Sequence, residues 1–235
     1  MARLLEGQVA VVTGGGRGIG RAVACALGAA GADLAICART QVELDEAAVA
    51  VHEAAGCSVD VLAVRCDVAA PDEVARFAAE VRGRVGAPNV LVNNAGIVAR
   101  GRLDELDAEA WREVLEVNLF GAYWMTRAFL PTMRAARAGR IVNVASISGR
   151  RGTPNLTAYC AAKHAVVGLT RALAEEVRDE NIQVNAVCPG SVDTAMLAGS
   201  GFAPDMSPDD VAQVVRWLAA EAPPALTGAC IDVFG

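Results

Sequence analysis

The sequence predicts an α/β fold: a single domain, residues 1–235, on a doubly wound, seven-stranded parallel sheet with helices on both faces. Three observations predict it. Short β-branched runs alternate with longer Ala-, Leu-, Glu- and Arg-rich segments from end to end. Those runs are continuously apolar, as strands covered on both faces are. A length of 235 residues sustains one well-buried core of this kind and is short for two.

In order, the strands are expected at Val9–Thr13, Asp33–Ala38, Val59–Cys66, Val90–Asn93, Ile141–Ala145, Gln183–Cys188 and Cys230–Val233. Helical spacing marks Gly20–Ala30, Val42–Ala55, Pro71–Arg82, Ala108–Arg137 (with Pro131 inside it) and Ala158–Arg178. Right-handed crossovers then put helices on both faces of the sheet. Pro223–Pro224 reads as a loop before the last strand. There is no internal repeat, low-complexity tract or linker.

Composition narrows the function classes. Hydrophobic residues make up 54% but aromatics only 4%, so small and branched aliphatics dominate and suit helices packed closely on a sheet. A net charge of −6 gives no overall field to attract nucleic acid or an anionic membrane. The seven cysteines are scattered without C-x-x-C, which argues against a metal site or a disulfide framework. Neither a signal peptide nor a membrane span is readable, so a cytoplasmic protein is the expectation.

The first strand leads into Thr13-Gly14-Gly15-Gly16-Arg17-Gly18-Ile19-Gly20, which opens a helix. That placement offers free backbone N–H groups and a positive helix terminus to a pyrophosphate, and glycines let it approach. No register gives G-x-G-x-x-G; the spacing is T-G-x₃-G-x-G. A glycine-rich turn without a ligand is the plainer alternative.

The second strand ends Cys37-Ala38-Arg39-Thr40, where an acidic residue would accept from a ribose 2′-OH. Neutral Ala38 followed by the Arg39 guanidinium instead suits a 2′-phosphate, with Arg17 in reach. Both arginines also fit as solvated surface charges. The expectation is NADP(H) over NAD(H).

Unusual residues recur where later strands end. Asp67-Val68 follows the third, and Asp67 suits either an adenine amino group or the cap of the next helix. Asn94-Ala95-Gly96 follows the fourth, Ser146 the fifth, and Pro189-Gly190-Ser191-Val192-Asp193-Thr194 the sixth, the last able to hold a carboxamide. Tyr159 lies thirteen residues beyond Ser146 and Lys163 four further, so the two share a helix face. A neighbouring ammonium is expected to lower the phenol's pKa toward a useful range. Ser146 is placed to stabilise a carbonyl oxygen gaining charge. Tyr-x₃-Lys alone is common on exposed helices; its context gives it meaning.

Together these motifs resemble the short-chain dehydrogenase/reductase family, in order and spacing, over nearly the whole chain. The overall pattern is similar to 3-oxoacyl-[acyl-carrier-protein] reductase-like members. The resemblance implies a single Rossmann-type domain passing a hydride between a nicotinamide and a carbonyl or alcohol carbon. It implies Tyr159 as general acid/base, Lys163 also bonding the nicotinamide ribose, and Asn118 holding a water in a proton relay. The residues alone would leave Asn118 a helix-interior polar group. From their own placement and the resemblance together, the residues expected at the cofactor are Gly14, Arg17, Gly18, Ile19, Gly20, Arg39, Asp67, Val68, Asn94, Ala95, Gly96, Tyr159, Lys163, Pro189, Gly190, Val192 and Thr194, and no metal is expected. The resemblance also implies a homotetramer or dimer through Ala108–Arg137, Ala158–Arg178 and Cys230–Phe234.

Two departures concern the substrate. The segment about 194–207 is short and holds Gly199, Gly201 and Pro204, reading as an abbreviated, mobile flap. The chain ends Asp232-Val233-Phe234-Gly235 where the family commonly has D-G-G. A carrier-protein-bound substrate would need a basic rim, for which Arg134, Arg137 and Arg140 are candidates, although Asp179-Glu180 oppose it. Other ketones, aldehydes and alcohols, and a non-catalytic NADP(H)-sensing module, are the alternatives.

Overall fold

The strands Val9–Thr13 (β1) and Asp33–Ala38 (β2) sit where the apolar runs put them, and β1 is buried along its whole length. The computed structural model of the chain describes residues 3–56 and 59–235. The remaining strands are Val61–Arg65 (β3), Val90–Asn93 (β4), Gly139–Val144 (β5), Ile182–Pro189 (β6) and Cys230–Val233 (β7). They form one seven-stranded sheet, ordered β3-β2-β1-β4-β5-β6-β7, with every pairing parallel. The order reverses beside β1, and the crevice beyond the carboxyl ends of β1 and β4 is where such a sheet takes a ligand.

The helices are Gly18–Ala29 (α1), Gln41–Ala55 (α2), Pro71–Arg84 (α3), Ala108–Leu115 (α4), Gly121–Ala136 (α5), Thr157–Glu176 (α6) and Pro208–Ala220 (α7). Strand period sorts the core into two layers. Ala10, Val12, Leu34 and Ile36 face α1, α2 and α7 through Leu27, Leu44, Val51, Val211 and Val215. Val11, Ala35, Leu91 and Ile141 face α3, α5 and α6 through Phe77, Phe129, Met133 and Leu173. Phe77 and Phe129 meet edge to face at 6.3 Å between α3 and α5.

Four strands fall at the expected residues, and the ends of the other expected elements differ by at most two residues. Two differences are larger. The stretch Ala108–Arg137 is not one α-helix: a π-turn at Glu116–Phe120 separates α4 from α5, while α5 continues through Pro131. Reading periodicity also omits α7. Ser207 and Asp210 cap it reciprocally and Pro208 opens it, so Ser-Pro-Asp-Asp ahead of Val211, Val215 and Leu218 was the signal. Cys57 lies outside the described residues. Of the other cysteines, Cys37, Cys66 and Cys188 are buried, while Cys25, Cys160 and Cys230 are partly so.

Candidate active site

Beyond β1 the chain must turn sharply into α1. Gly14 and Gly18 do this at φ +65° and +54°, where a side chain would strain the backbone. A Cβ on Gly20 would stand 2.1 Å from the Gly14 carbonyl oxygen, so α1 closes onto the loop only with glycine there. Arg17 caps α1 with no side-chain hydrogen bond, and no acidic residue enters the first turn. The helix thus keeps its positive end for an anion.

Thr13 ties this loop to the end of β4. Its hydroxyl accepts from the N–H groups of Asn94 (2.9 Å) and Ala95 (3.0 Å). Asn94 returns its side-chain amide to the carbonyls of Thr13 (2.9 Å) and Gly14 (3.3 Å). The Asn94 amide nitrogen is therefore committed to shaping the loop. Thr194, at the base of the flap, packs over Gly18 from the other side.

At the end of the cleft beyond β2, Arg39 pairs with Glu113 at 3.5 Å and Arg17 with Glu43 at 3.2 Å, both largely exposed. Glu43 was not foreseen as a neighbour; it comes from α2, one turn beyond Arg39. Asp67 does not cap α3. Its Oδ1 takes the Ala69 N–H at 3.0 Å in the preceding turn, and Ala70 is the cap residue.

Ser146, Tyr159, Lys163 and Asn118 arrive from the end of β5, from α6 and from the π-turn. Ser146 ends the stretch after β5 and accepts the Ser148 N–H at 3.1 Å. Lys163 is buried, donates to the Val144 carbonyl at 2.8 Å, and stands 5.6 Å from the Tyr159 ring centroid. Burial lowers the Lys163 ammonium to about 8, with only the Cys188 thiol pulling upward. Burial also pushes the Tyr159 phenol up, against the lowering expected from Lys163. The Ser146 hydroxyl and the Arg100 guanidinium draw it partly back, while the Cys160 thiol adds to the rise. The reason is physical: Lys163 points into the Val144 carbonyl and is itself costly to charge, so desolvation of the phenol dominates.

Asn118 lies on the π-turn behind the cleft. Its amide donates to the carbonyls of Ile97 and Val114, both at 2.8 Å, and its Oδ1 is buried without a protein partner. A Cβ on Gly96 would stand 2.7 Å from that oxygen and 3.6 Å from Lys163 Nζ. Gly96 thus keeps a polar space open between the two. A π-turn inside a long helix is a recurrent mark of a functional site.

The structure brings nearly all the expected residues to one cleft of about 1980 Å³. Gly14, Arg17, Gly18, Ile19, Gly20, Arg39, Asp67, Val68, Asn94, Ala95, Gly96, Ser146, Tyr159, Lys163, Pro189, Gly190, Val192 and Thr194 all line it. Asn118 does not line it and stands just behind. Arg100, which nothing in the sequence marked, borders the same space, as do Arg151 and, from the flap, Met196 and Phe202, none of them expected individually as site residues. The flap holds no helix and is closed at its base by a bridge between Val192 and Met206.

The basic rim expected from Arg134, Arg137 and Arg140 is not at this cleft. These residues flank the start of β5, at the far end of the sheet. Arg134 is held by Glu176 and Glu180 at 2.8 Å each, and Arg137 donates to the Asp179 carbonyl at 2.7 Å. Arg140 donates to the Leu218 and Ala222 carbonyls at 2.8 and 2.9 Å. Their charges serve packing between helices and strand.

A parallel sheet of this order with a glycine loop and a Ser–Tyr–Lys cluster in one cleft defines a nicotinamide-dependent oxidoreductase class. The family model for short chain dehydrogenase matches residues 8–202, and the chain belongs to that family. It is 35% identical over 241 residues to a 3-oxoacyl-[acyl-carrier-protein] reductase of Synechocystis sp., covering 98% of this chain and 97% of the relative. It is 33% identical over 256 residues to 2-(S)-hydroxypropyl-CoM dehydrogenase 3 of Xanthobacter autotrophicus, covering 100% and 98%. The crystal structure of levodione reductase superposes with a TM-score of 0.94 at 30% identity, covering 98% and 97%. The chain is an oxidoreductase of the kind that acts on CH–OH groups. Among the described residues, no helix is long and apolar enough to cross a membrane.

Proposed function

We propose that the protein is an NADP(H)-dependent reductase or dehydrogenase interconverting a carbonyl and a secondary alcohol, with Tyr159 as general acid/base. The observation that carries this reading is that Ser146, Tyr159 and Lys163 line the same cleft as the glycine loop.

The residues present suit the cofactor. The loop Gly14–Gly20 is a cradle that a Cβ at Gly20 would fill, and α1 leaves its first N–H groups uncapped by a side chain. Gly14, Arg17, Gly18, Ile19 and Gly20 would hold the pyrophosphate. Arg39, with Arg17, would hold the 2′-phosphate; Asp67 and Val68 the adenine. Asn94, Ala95 and Gly96 would flank the riboses, and Pro189, Gly190, Val192 and Thr194 the carboxamide. When bound, the nicotinamide supplies or accepts the hydride.

The chain's own groups handle the oxygen and the proton. Ser146 donates a hydrogen bond to the substrate oxygen, where negative charge grows during reduction. Tyr159 passes its phenolic proton to that oxygen, and its raised pKa keeps the acid form ready at neutral pH. Lys163 places its positive charge 5.6 Å from the phenol ring centroid and would bond the nicotinamide ribose. Asn118 Oδ1, buried and free of protein partners, suits a water that returns the proton through Lys163.

A small carbonyl or alcohol compound is the substrate, and a 3-oxoacyl thioester is favoured by the names of several relatives. The same reading has the chain in the cytoplasm as a homotetramer or dimer. The outward Phe120, closing the π-turn, and Tyr123, in the first turn of α5, each 40% exposed, support the assembly.

The test is a comparison of kcat/KM for NADPH and NADH against a panel of β-keto thioesters, quinones and diketones. NADPH is expected to lead by about tenfold or more. A clear NADH preference would remove the Arg39 argument. Cofactor binding with no carbonyl turned over would remove the chemistry.

A further inference from the structure

The substrate end of the cleft carries charge that the proposed chemistry does not use. At the adenosine end Arg17 and Arg39 each have a carboxylate partner, and at the mouth Arg102 is held by Asp104 and Glu105 at 3.3 and 3.4 Å. Arg150 is similarly tied to Asp232 at 3.1 Å. Arg100 and Arg151 line the same cleft and, among the described residues, neither has a carboxylate within ion-pair distance. Their loops are joined backbone to backbone, Gly101 N–H to the Asn155 carbonyl at 3.0 Å.

Arg100 is not idle. Its guanidinium donates to the Met196 carbonyl at 2.7 Å, reaching from the loop after β4 to the flap. Its charge also reaches Tyr159 and draws the phenol down, which places it within electrostatic range of the reacting group. A neutral peptide carbonyl is a modest partner for a guanidinium; a carboxylate or phosphate takes it bidentately and roughly twice as strongly. Asp193 and Asp205 also line the flap side, but neither pairs with Arg100.

Resting on the reading of the Tyr159 cleft as a substrate site, we infer that this site selects carbonyl substrates bearing an anionic group. Arg100 is the specificity residue, Arg151 backs it, and the anion replaces the Met196 carbonyl on Arg100.

The test measures binding, not turnover, on the NADP⁺ complex by calorimetry. One pair of probes is 3-oxobutanoate and its methyl ester. The other is acetoacetyl-coenzyme A and the neutral acetoacetyl thioester of N-acetylcysteamine. Wild type is expected to bind the charged member of at least one pair about tenfold more tightly, a partly exposed charge-assisted contact. Preference in the first pair identifies a carboxylate on the substrate, and in the second a phosphate on its carrier. R100M should erase the preference, R100K retain part of it, and R151M weaken it by a smaller factor. Equal affinities within both pairs for wild type, or an unchanged preference in R100M, would overturn the inference. A preference lost in R100M, with no turnover by wild type, would instead sink the proposed reaction and leave this inference standing.

Discussion

Lys163 is 4% exposed, and burial holds its ammonium at about 8 where an unburied lysine stands at 10.5. A difference of that size makes the charged form about 3 kcal/mol costlier in the folded chain than in the unfolded one. The hydrogen bond to the Val144 carbonyl returns about 1 kcal/mol. Lys163→Met removes both, so the variant is expected to be about 2 kcal/mol more stable than wild type at pH 7. The advantage depends on pH. Because the folded pKa lies below the unfolded one, the unfolded chain binds more protons between about pH 8 and 10.5, and wild-type stability rises across that window. Below pH 8 the full penalty applies. The gap between variant and wild type should therefore stay level from pH 6 to 8 and close toward zero by about pH 10. Urea unfolding of the cofactor-free proteins, followed by circular dichroism at pH 7, 8.5 and 10, reads this directly. A K163M chain less stable than wild type at pH 7, or a gap indifferent to pH, would refute the claim that a costly buried charge is kept here for function.

Two substitutions probe the cofactor end. Gly20→Ala places a Cβ 2.1 Å from the Gly14 carbonyl, so the loop must shift and NADPH affinity should fall by about tenfold or more, measured by fluorescence titration. Wild-type affinity in G20A would mean that the loop does not hold the cofactor. Glu43→Gln releases Arg17 from its ion pair, and since Arg17 is 69% exposed the gain should be small. NADPH should bind about two- to threefold more tightly and NADH unchanged, in the same titration; an equal effect on both would remove Arg17 from the 2′-phosphate.

The fold was legible because strand burial on both faces writes itself as continuous apolar runs. Val9–Thr13 and Val90–Asn93 appear as strands at the residues expected. The missed helix α7 shows the opposite case. Its signal lay in a capping box, Ser207 with Asp210, more than in its apolar spacing. The π-turn at Glu116–Phe120 was not legible, because a one-residue widening leaves helical periodicity almost unchanged. At the site, the glycine loop and Tyr159–Lys163 could be read because their spacing within one element fixes their geometry. Arg100 could not be read, since its meeting with Met196 joins two irregular loops 96 residues apart. Nor could the direction of the Tyr159 shift, which is decided by how the fold buries the phenol and aims Lys163 at Val144. The arginines at 134, 137 and 140 misled for the same reason: local charge says nothing about which end of the sheet it occupies.

The most decisive single measurement is on Tyr159→Phe, which removes one oxygen and leaves the ring packed against the cluster of Val114, Ala158 and Ala162. NADPH binding, followed by fluorescence, and single-turnover reduction of a carbonyl substrate are measured on the same samples. NADPH affinity should stay close to wild type, with reduction slowed by about 10²- to 10⁴-fold. Reduction at a near wild-type rate would contradict it.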